Sequence, residues 1–410
     1  PSGCGEAGGA SGGPSAAEIP PLSSELQGEG AAGEAVRAGV RLLDLSHNEL
    51  GDRGVAAVAR HLGSRGAVRL RLRGVGCGQH GINALLPFKE ALTELDIGLN
   101  PIGVVGVSAV CREICGAAHW RTLNVSHLMA IGNGGLHDCG GGSLVTPLVG
   151  CVRTATQLRD LDCSGNDLGD HGGRILVEAL HESEPHTLAK LAVSDSGCGI
   201  QTSNALQMAL QKRVAPGGGP AGLRVLELSN NRLTDECAAI LAEGVAKSPT
   251  LTRLFLSRNM INDRGTMDLA RSLELQRSNK ALPPGCDHPG CVVDLDLAMN
   301  PVGDDGAVAL AMAAQSCTNS MEAARSFRVP WGLERLHLAD TAIGQRGRDA
   351  LGIAVACRAA LADAAADLLA RSPDDALLRS LRARRVRMPA GLEVLGLGLD
   401  DGPAARMRNE

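Results

Sequence analysis

The chain has 410 residues and a formal net charge of −5, from 40 lysines and arginines against 45 aspartates and glutamates. Aromatic residues are scarce, with three Phe, two Trp and no Tyr. The acidic balance argues against nucleic-acid binding through bulk charge, and the scarcity of aromatics argues against base-stacking surfaces. No apolar run approaches the about 18 residues that a membrane-spanning helix needs, so no membrane contact is expected.

The first 25 residues are dominated by Gly, Ser, Ala and Pro, a composition that predicts a flexible tail. They lack the basic and apolar regions of a signal peptide. Because the chain does not begin with Met, we expect that sequence upstream of Pro1 is missing or was removed.

Residues 26–400 contain a repeated unit of the form L-x-x-L-x-L-x-x-N-x-L. Clear copies run from Val40 to Leu50 and from Leu223 to Leu233. Searching for the pattern along the chain gives about eleven units. They begin at Val40, Ala67, Leu92, Trp120, Leu158, Leu188, Leu223, Leu251, Val292, Leu333 and Leu392.

Each part of the unit predicts a local structure. The alternating leucines favour a short strand with one buried face, and the asparagine at the ninth position suits a turn where its amide binds free backbone groups. In clear copies Gly-Asp-x-Gly follows, as at Gly51–Gly54, and then a helical run such as Val55–Leu62. The aspartate is expected near the N-terminus of that helix. One unit cannot bury its apolar face alone, so units must stack.

The repeat resembles the ribonuclease-inhibitor type of leucine-rich repeat. The resemblance implies an α/β solenoid in the form of a horseshoe, with a parallel β-sheet inside the curve and helices outside. It says little about the partner, because this repeat serves many different proteins.

Four segments depart from the repeat. Loops are predicted near 131–150, 212–221 and 275–291, and a helical insertion over 345–388; residues 401–410 form a C-terminal tail. The basic helix end from Arg379 to Arg387 is a possible secondary contact for an acidic partner or phosphates. The alternative is that these arginines complement the negative end of a helix dipole.

The 13 cysteines are too sparse for a disulfide scaffold. Cys111, Cys163, Cys237 and Cys357 stand where a small apolar residue would serve, so we interpret them as buried free thiols. This use of cysteine indicates a reducing compartment, the cytoplasm, with a cytoskeletal or ciliary location also compatible.

One cysteine cluster could bind a metal. Cys286, His288 and Cys291 lie within six residues, but zinc prefers four ligands and no second pair is nearby. We therefore expect a surface insertion, and no metal or cofactor.

One glycine motif could suggest a nucleotide site. Residues 76–81 match G-x-G-x-x-G, but they occupy the turn where other units place Gly-Asp-x-Gly. With no catalytic motif elsewhere, the sequence predicts a protein that is not an enzyme.

Side chains at the third, fifth and seventh positions of each unit should point into the curve. Thirteen are candidate partner-binding residues: Arg69, Arg71, Arg73, Asp96, Asp160, Asp162, Glu227, Arg253, Phe255, Asp294, Asp296, Arg335 and His337.

Two interpretations of these charges remain open. Neighbouring strands lie ~4.8 Å apart, so opposite charges can neutralise each other across the sheet. Alternatively, the pattern selects a protein partner. Asp160 with Asp162, and Asp294 with Asp296, lack an obvious adjacent cation, and Phe255 is the only aromatic expected on this surface.

The leading functional hypothesis is a non-catalytic scaffold subunit that binds protein, within an assembly such as a ciliary, axonemal or ribonucleoprotein complex. One alternative is a small-GTPase regulator resembling the Ran GTPase-activating proteins, although the chain lacks their long acidic C-terminal run. Another is the leucine-rich fragment of an innate-sensor receptor, although these 410 residues contain no nucleotide-binding module.

Overall fold

The structure, a computed structural model, describes a large part of the chain. The described ranges are 41–62, 68–114, 119–128, 142–155, 157–182, 187–211, 222–278, 292–315, 332–371 and 392–397. The chain divides into two compact units, Pro1–Arg41 and Leu42–Glu410. Apart from Arg41, all described residues belong to the second unit, which is the repeat region.

Eleven short strands form one parallel sheet, and each strand pairs with the next one along the chain. This arrangement confirms the predicted α/β leucine-rich repeat solenoid. The strands are β1 Leu42–Asp44, β2 Val68–Arg71, β3 Leu92–Asp96, β4 Thr122–Asn124, β5 Asp160–Asp162, β6 Lys190–Ala192, β7 Val225–Glu227, β8 Arg253–Phe255, β9 Asp294–Asp296, β10 Arg335–His337 and β11 Glu393–Leu395.

Ten α-helices lie within the described ranges, each following a strand, and consecutive helices pack side by side. They are α1 Gly51–Leu62, α2 Gln79–Leu85, α3 Gly103–Ile114, α4 Gly142–Thr154, α5 Gly169–Glu182, α6 Ile200–Leu210, α7 Asp235–Lys247, α8 Asp263–Ser278, α9 Asp304–Gln315 and α10 Gln345–Arg371. A 3-10 turn, Leu86–Ala91, joins α2 to β3.

The core lies between the sheet and the helices. From β2 onward each strand buries a leucine or valine, as at Leu161 and Leu295, and the residue two positions later is buried with it in units such as those of Cys163 and Leu297. In the first unit, Leu43 and Leu45 are only partly buried. Residues on either side of the central one alternate outward. One continuous apolar layer therefore runs through all the units, as expected for stacked repeats.

The asparagines at the ninth position join each unit to the one before it. The amide of Asn100 donates to the carbonyl oxygens of Leu72, at 2.6 Å, and Ile97, at 2.9 Å, and its side-chain oxygen accepts from the amide of Val75 at 3.0 Å. Asn166, Asn231, Asn259 and Asn300 make the same kind of contacts. These contacts confirm the prediction that the turn asparagines bind free backbone groups, and we call these five residues the asparagine ladder.

The aspartate of Gly-Asp-x-Gly accepts hydrogen bonds from backbone amides of the following unit rather than from its own helix. Oδ1 of Asp52 accepts hydrogen bonds from the amides of Gly78, at 2.7 Å, and Gly81, at 2.8 Å, at the start of α2. Asp170, Asp235, Asp263 and Asp304 repeat this contact. A Cβ at Gly81 would lie 2.8 Å from that oxygen, so the close approach requires glycine there.

Several predicted segment boundaries need correction. Helix α4 begins at Gly142, so the latter half of the loop placed near 131–150 is helical, because its apolar residues Leu144 and Leu148 pack into the core. Helix α8 likewise extends to Ser278, into the loop placed at 275–291.

The predicted helical insertion 345–388 is helical over Gln345–Arg371, and this helix packs on α9 as the tenth unit's own helix. Residues 1–25, 212–221, 372–388 with Arg379–Arg387, and 401–410 lie outside the described residues.

Candidate functional site: the open face of the sheet

The open face is the sheet surface formed by the third, fifth and seventh positions of the units. It lies opposite the helices, and its side chains are mostly partly or fully exposed, whereas those of the central strand residues are buried. All thirteen residues predicted to face inward belong to these positions. Their electrostatic surroundings differ along the sheet, however.

At the N-terminal end the charges neutralise one another. The Arg69 guanidinium lies 3.2 Å from the Glu94 carboxylate, and that of Arg71 lies 3.4 Å from Asp44. Arg73 reaches across β3 and donates to the Ser126 hydroxyl at 2.7 Å. Gly98 permits this, because a Cβ there would collide with the Arg73 guanidinium. Self-neutralisation, one of the two interpretations left open, holds for this region.

Acidic residues at the fifth position also shape the backbone. One oxygen of Asp96, of Asp162 and of Asp296 accepts the amide hydrogen two residues later, at 3.0, 3.0 and 2.9 Å. This bond turns the chain out of the strand. Each carboxylate keeps its second oxygen for other contacts.

Strands β3 to β5 carry acidic side chains that form no ion pair with any described residue: Asp96, Asp160 and Asp162. Burial raises the pKa of Asp96 above its ordinary value of 3.8, and the nearby charge of Asp162 adds to this, whereas the Gly98 amide and Arg73 act against it. Asp160 accepts only a long hydrogen bond, 3.4 Å, from the Thr122 hydroxyl. We call Asp96, Asp160 and Asp162 the acidic patch.

Lys190 explains why Asp160 stays without an ion pair. It lies beside Asp160 in the parallel register, but its ammonium group binds Glu227 on the other side at 2.6 Å. Glu227 is thus a neutralised residue rather than a free contact. Lys190 is absent from the predicted site, although its place at the third position, between two acids, was a signal that could have identified it.

Strands β8 to β10 correct the prediction that Asp294 has no adjacent cation. Its Oδ2 lies 2.9 Å from Arg335, its Oδ1 lies 3.6 Å from Nε2 of His337, and its side chain is only 7% exposed. Arg335 and His337 thus lie against the shorter aspartate, which accounts for its burial. Arg253 is exposed and Phe255 half-buried, and Arg253 has no ion pair among the described residues.

The glycine motif at residues 76–81 is not shaped for a phosphate. The amides of Gly78 and Gly81, which would have to point at the ligand, donate to Asp52. A carboxylate already occupies the position that a phosphate would take, and its negative charge repels one. This agrees with the interpretation that the repeat accounts for the motif.

Six described cysteines are buried free thiols, Cys111, Cys163 and Cys237 among them. Cys357, however, is exposed, because it lies on the outer surface of α10, so its interpretation as a buried residue was wrong. Burial raises the pKa of Cys198 to about 12 and that of Cys163 well above its usual range. These two thiols are therefore protonated at neutral pH and poorly nucleophilic.

The described part of the chain offers neither a metal site nor a membrane-spanning helix. No group of three or more His, Cys, Asp or Glu residues there could hold a metal ion. Cys286, His288 and Cys291 lie outside the described residues. Within the same ranges, each helix is too short or too polar to cross a bilayer.

Comparisons with known proteins agree with the architecture. A family model described as "Leucine Rich repeat" matches residues 40–59, 91–111 and 291–311. The chain is 25% identical to the ribonuclease inhibitor of Sus scrofa over 304 residues, 66% of this chain and 60% of that protein. It is 30% identical to the ribonuclease inhibitor of Mus musculus over 285 residues, 67% of this chain and 55% of that protein.

A further match covers a smaller part of a longer protein. The chain is 28% identical over 264 residues to the human "NACHT, LRR and PYD domains-containing protein 3", 57% of this chain and 22% of that protein. The chain thus spans somewhat more than half the length of the ribonuclease inhibitors, and about a fifth of the longer protein.

Proposed function

Because this chain is a leucine-rich repeat protein of the ribonuclease-inhibitor type, we propose that it binds a protein partner on the open face of its sheet. Its role is that of a non-catalytic interaction subunit. We place it in a larger cytoplasmic assembly, of the ciliary or ribonucleoprotein kind. The buried free thiols support a reducing compartment, where such thiols persist.

The observation that carries the proposal is the acidic patch. A folded chain gains by pairing its surface charges, as it does at Arg69 with Glu94 and at Lys190 with Glu227. Asp160 and Asp162 stay unpaired among the described residues although Lys190 lies in the neighbouring strand. Charges left available in this way suit electrostatic recognition of a partner.

The surroundings of the patch leave room for a long side chain. Beside Asp162 in the register lies Ala192, and the seventh-position residues of β5 and β6 are Ser164 and Ser194. These side chains are short, and Asp160 and Asp162 themselves are partly exposed. A lysine or arginine of the partner can therefore reach Asp160 and Asp162, and arginine can bind a carboxylate through two parallel hydrogen bonds.

The test is affinity capture with charge-matched variants. The full chain carrying D160N and D162N keeps the acceptors for the Thr122 hydroxyl and the Ser164 amide but loses two negative charges. The control carries E178Q and E182Q, which remove two charges from α5 on the outer surface.

Cross-linked partners from a lysate of the source organism are then quantified for the unmodified chain and both variants. We expect one or more partners to be depleted at least tenfold for D160N/D162N and unchanged for the control. Equal capture by all three proteins, or no capture by any, would contradict the proposal.

A second candidate function comes from the match to the human NACHT, LRR and PYD domains-containing protein. In that case the chain is the repeat region of a longer multidomain protein and binds its partner on behalf of the other domains. Sequencing the complete transcript upstream of Pro1 tests this candidate. A nucleotide-binding domain in the same reading frame supports it, and a start codon close to Pro1 excludes it.

A further inference from the structure

A second uncompensated part of the open face lies where β8 meets β9. Arg253 is exposed, and its partners in the parallel register are Val225 on one side and Asp294 on the other. Val225 carries no charge, and Asp294 is already bound to Arg335 at 2.9 Å. Among the described residues, Arg253 therefore forms no ion pair, although Asp294 lies next to it in the register.

A free anion lies close to this free cation. Asp296 is half-buried, and one of its oxygens accepts the Ala298 amide at 2.9 Å. Its register neighbours are Phe255 on β8 and His337 on β10. Within the described ranges it forms no ion pair, so its second oxygen remains an available acceptor.

Phe255 lies beside both charges. It is on the same face of β8 as Arg253, two residues along the strand, and pairs in register with Asp296 and with Glu227. Glu227 is neutralised by Lys190 at 2.6 Å and does not compete for the Arg253 site. Phe255 is the only aromatic residue in the described strands, and aromatic and arginine side chains are the residues enriched at energetically important interface positions.

We propose that Arg253, Phe255 and Asp296 form a subsite for a peptide segment of the partner. In this segment an apolar side chain lies between one acidic and one basic side chain. The acid pairs with Arg253, the apolar side chain packs on Phe255, and the base pairs with Asp296. This inference rests on the proposed function, because it assumes a protein partner on the open face. It adds the charge pattern that the partner must present.

The spacing defines the segment further. Adjacent strands lie ~4.8 Å apart and two residues along a strand span ~6.6 Å, so the Cα atoms of Arg253 and Asp296 are about 8 Å apart. Two residues of an extended peptide, or one turn of a helix, bridge roughly this distance. The acid and the base are therefore expected two to four positions apart in the partner's sequence.

The two charges do not satisfy each other well without a partner. They lie on different strands and are offset by two residues, so any contact between them stretches across Phe255 in a solvated surface. Ion pairs of that kind contribute little. A partner that covers Phe255 excludes water and places a counter-charge directly against each group, which strengthens both pairs.

The experiment uses a library of random dodecapeptides displayed on phage, selected on the immobilised full chain. Enriched peptides are synthesised, and their affinities are measured for the unmodified chain and for the R253Q, D296N and F255A variants. D296N keeps an acceptor for the Ala298 amide, and R253Q changes an exposed side chain, so both should fold. The E178Q/E182Q protein, altered on the outer surface of α5, serves as the control.

We expect enriched peptides to carry an acid and a base two to four positions apart with an apolar residue between them. Their affinity should fall at least tenfold with R253Q and with D296N, and remain unchanged with E178Q/E182Q. A peptide in which the acid and the base are exchanged should lose affinity to the same degree. F255A should weaken binding of all the enriched peptides.

The subsite is refuted by any of three results: no enrichment, enriched peptides without the charge pair, or affinities that R253Q and D296N leave unchanged. These results are separate from a failure of the proposed function. If the peptide selection fails while D160N/D162N still abolishes capture of a protein partner, the open face binds protein but this subsite does not contribute.

Discussion

The fifth and ninth strands contain the same three residues, Asp-Leu-Asp, in the same register, yet their carboxylates differ in environment. Asp160 in β5 is half-buried and forms no ion pair with a described residue, whereas Asp294 in β9 is 7% exposed and bound to Arg335. Each has a basic residue on a neighbouring strand at the same height. The difference arises from β7, the strand after Lys190, where Glu227 is a second anion that Lys190 can bind.

Competition between anions decides which aspartate is neutralised. Lys190 has acids on two sides, Asp160 in β5 and Glu227 two residues along β7, and its ammonium binds Glu227 at 2.6 Å. Arg335 instead binds Asp294, with Nη2 at 2.9 Å from Oδ2. A strand's own sequence therefore does not determine whether its acids are available to a partner. Their availability depends on whether the neighbouring lysine or arginine is already bound to another acid.

The largest expected effect lies in the scaffold that both regions share. Asn166 and Asn300 hold the fifth and ninth units with equivalent hydrogen bonds, to Val125 at 2.7 Å and to Leu256 at 2.9 Å. Replacing either with alanine leaves buried backbone groups unpaired, so we expect each variant to lose about 3 kcal/mol of unfolding free energy. Denaturant unfolding measures this, with the exposed Asn48→Ala as the milder control. Unequal losses at the two sites would show that the regions differ in the scaffold and not only in surface charge.

A smaller effect separates the two aspartates. Asp294→Asn removes the ion pair with a half-exposed arginine and should cost about 1–2 kcal/mol of unfolding free energy. Asp160→Asn removes no ion pair, so its effect should stay within about 0.5 kcal/mol. Thermal unfolding of the two variants side by side gives the comparison. Equal shifts would mean that the Arg335 contact does not stabilise the fold.

The difference between the regions can also be removed by design. Glu227→Gln releases Lys190, which can then neutralise Asp160 as Arg335 neutralises Asp294. We expect affinity for the captured partner to fall roughly fivefold, or about 1 kcal/mol, with little change in stability. Titration calorimetry with the purified partner measures the change. The matched control is Glu182→Gln on the outer surface, and an identical effect of the two substitutions would point to net charge alone.

The smallest expected effect is a pH dependence of binding. Burial raises the pKa of Asp96 above its ordinary value of 3.8. Its charge is therefore lost earlier than usual as the pH falls, and that protonation favours the folded chain, because a raised carboxyl pKa means that folding opposes the charged form. A basic partner should thus bind somewhat more weakly at pH 5 than at pH 7, and D96N should reduce this dependence. An unchanged profile in D96N would assign the dependence to other groups.

The sequence was sufficient to predict the solenoid and its units. The period of the leucines and the turn asparagines follow local rules, and both reappear as the strand centres and the Asn100 type of contact. Asp52 lies in the first turn of its own helix, as predicted, but its hydrogen bond to the Gly81 amide of the next unit, 29 residues away, was not predicted. Such contacts depend on how units stack, which a pattern within one unit does not contain.

The open-face residues were found from their positions, but their partners were not. The distance between Arg335 and Asp294, and the choice of Glu227 by Lys190, depend on side-chain conformations and on competition across three strands. The backbone conformation before the asparagines was not predicted either. Leu99 and Met299 precede ladder asparagines with positive φ angles of 55°, which their side-chain types do not suggest.

The most direct test of the central claim is a photo-crosslinking map of the two surfaces. A benzophenone amino acid is placed at Thr122 or Phe255 on the open face, and at Met208 or Met312 on the outer helices, where both methionines are exposed. Each full-length variant is irradiated with the partner that the affinity capture identifies. We predict that the open-face positions cross-link to the partner and the outer-helix positions do not. Cross-links from Met208 or Met312 alone would contradict binding on the open face.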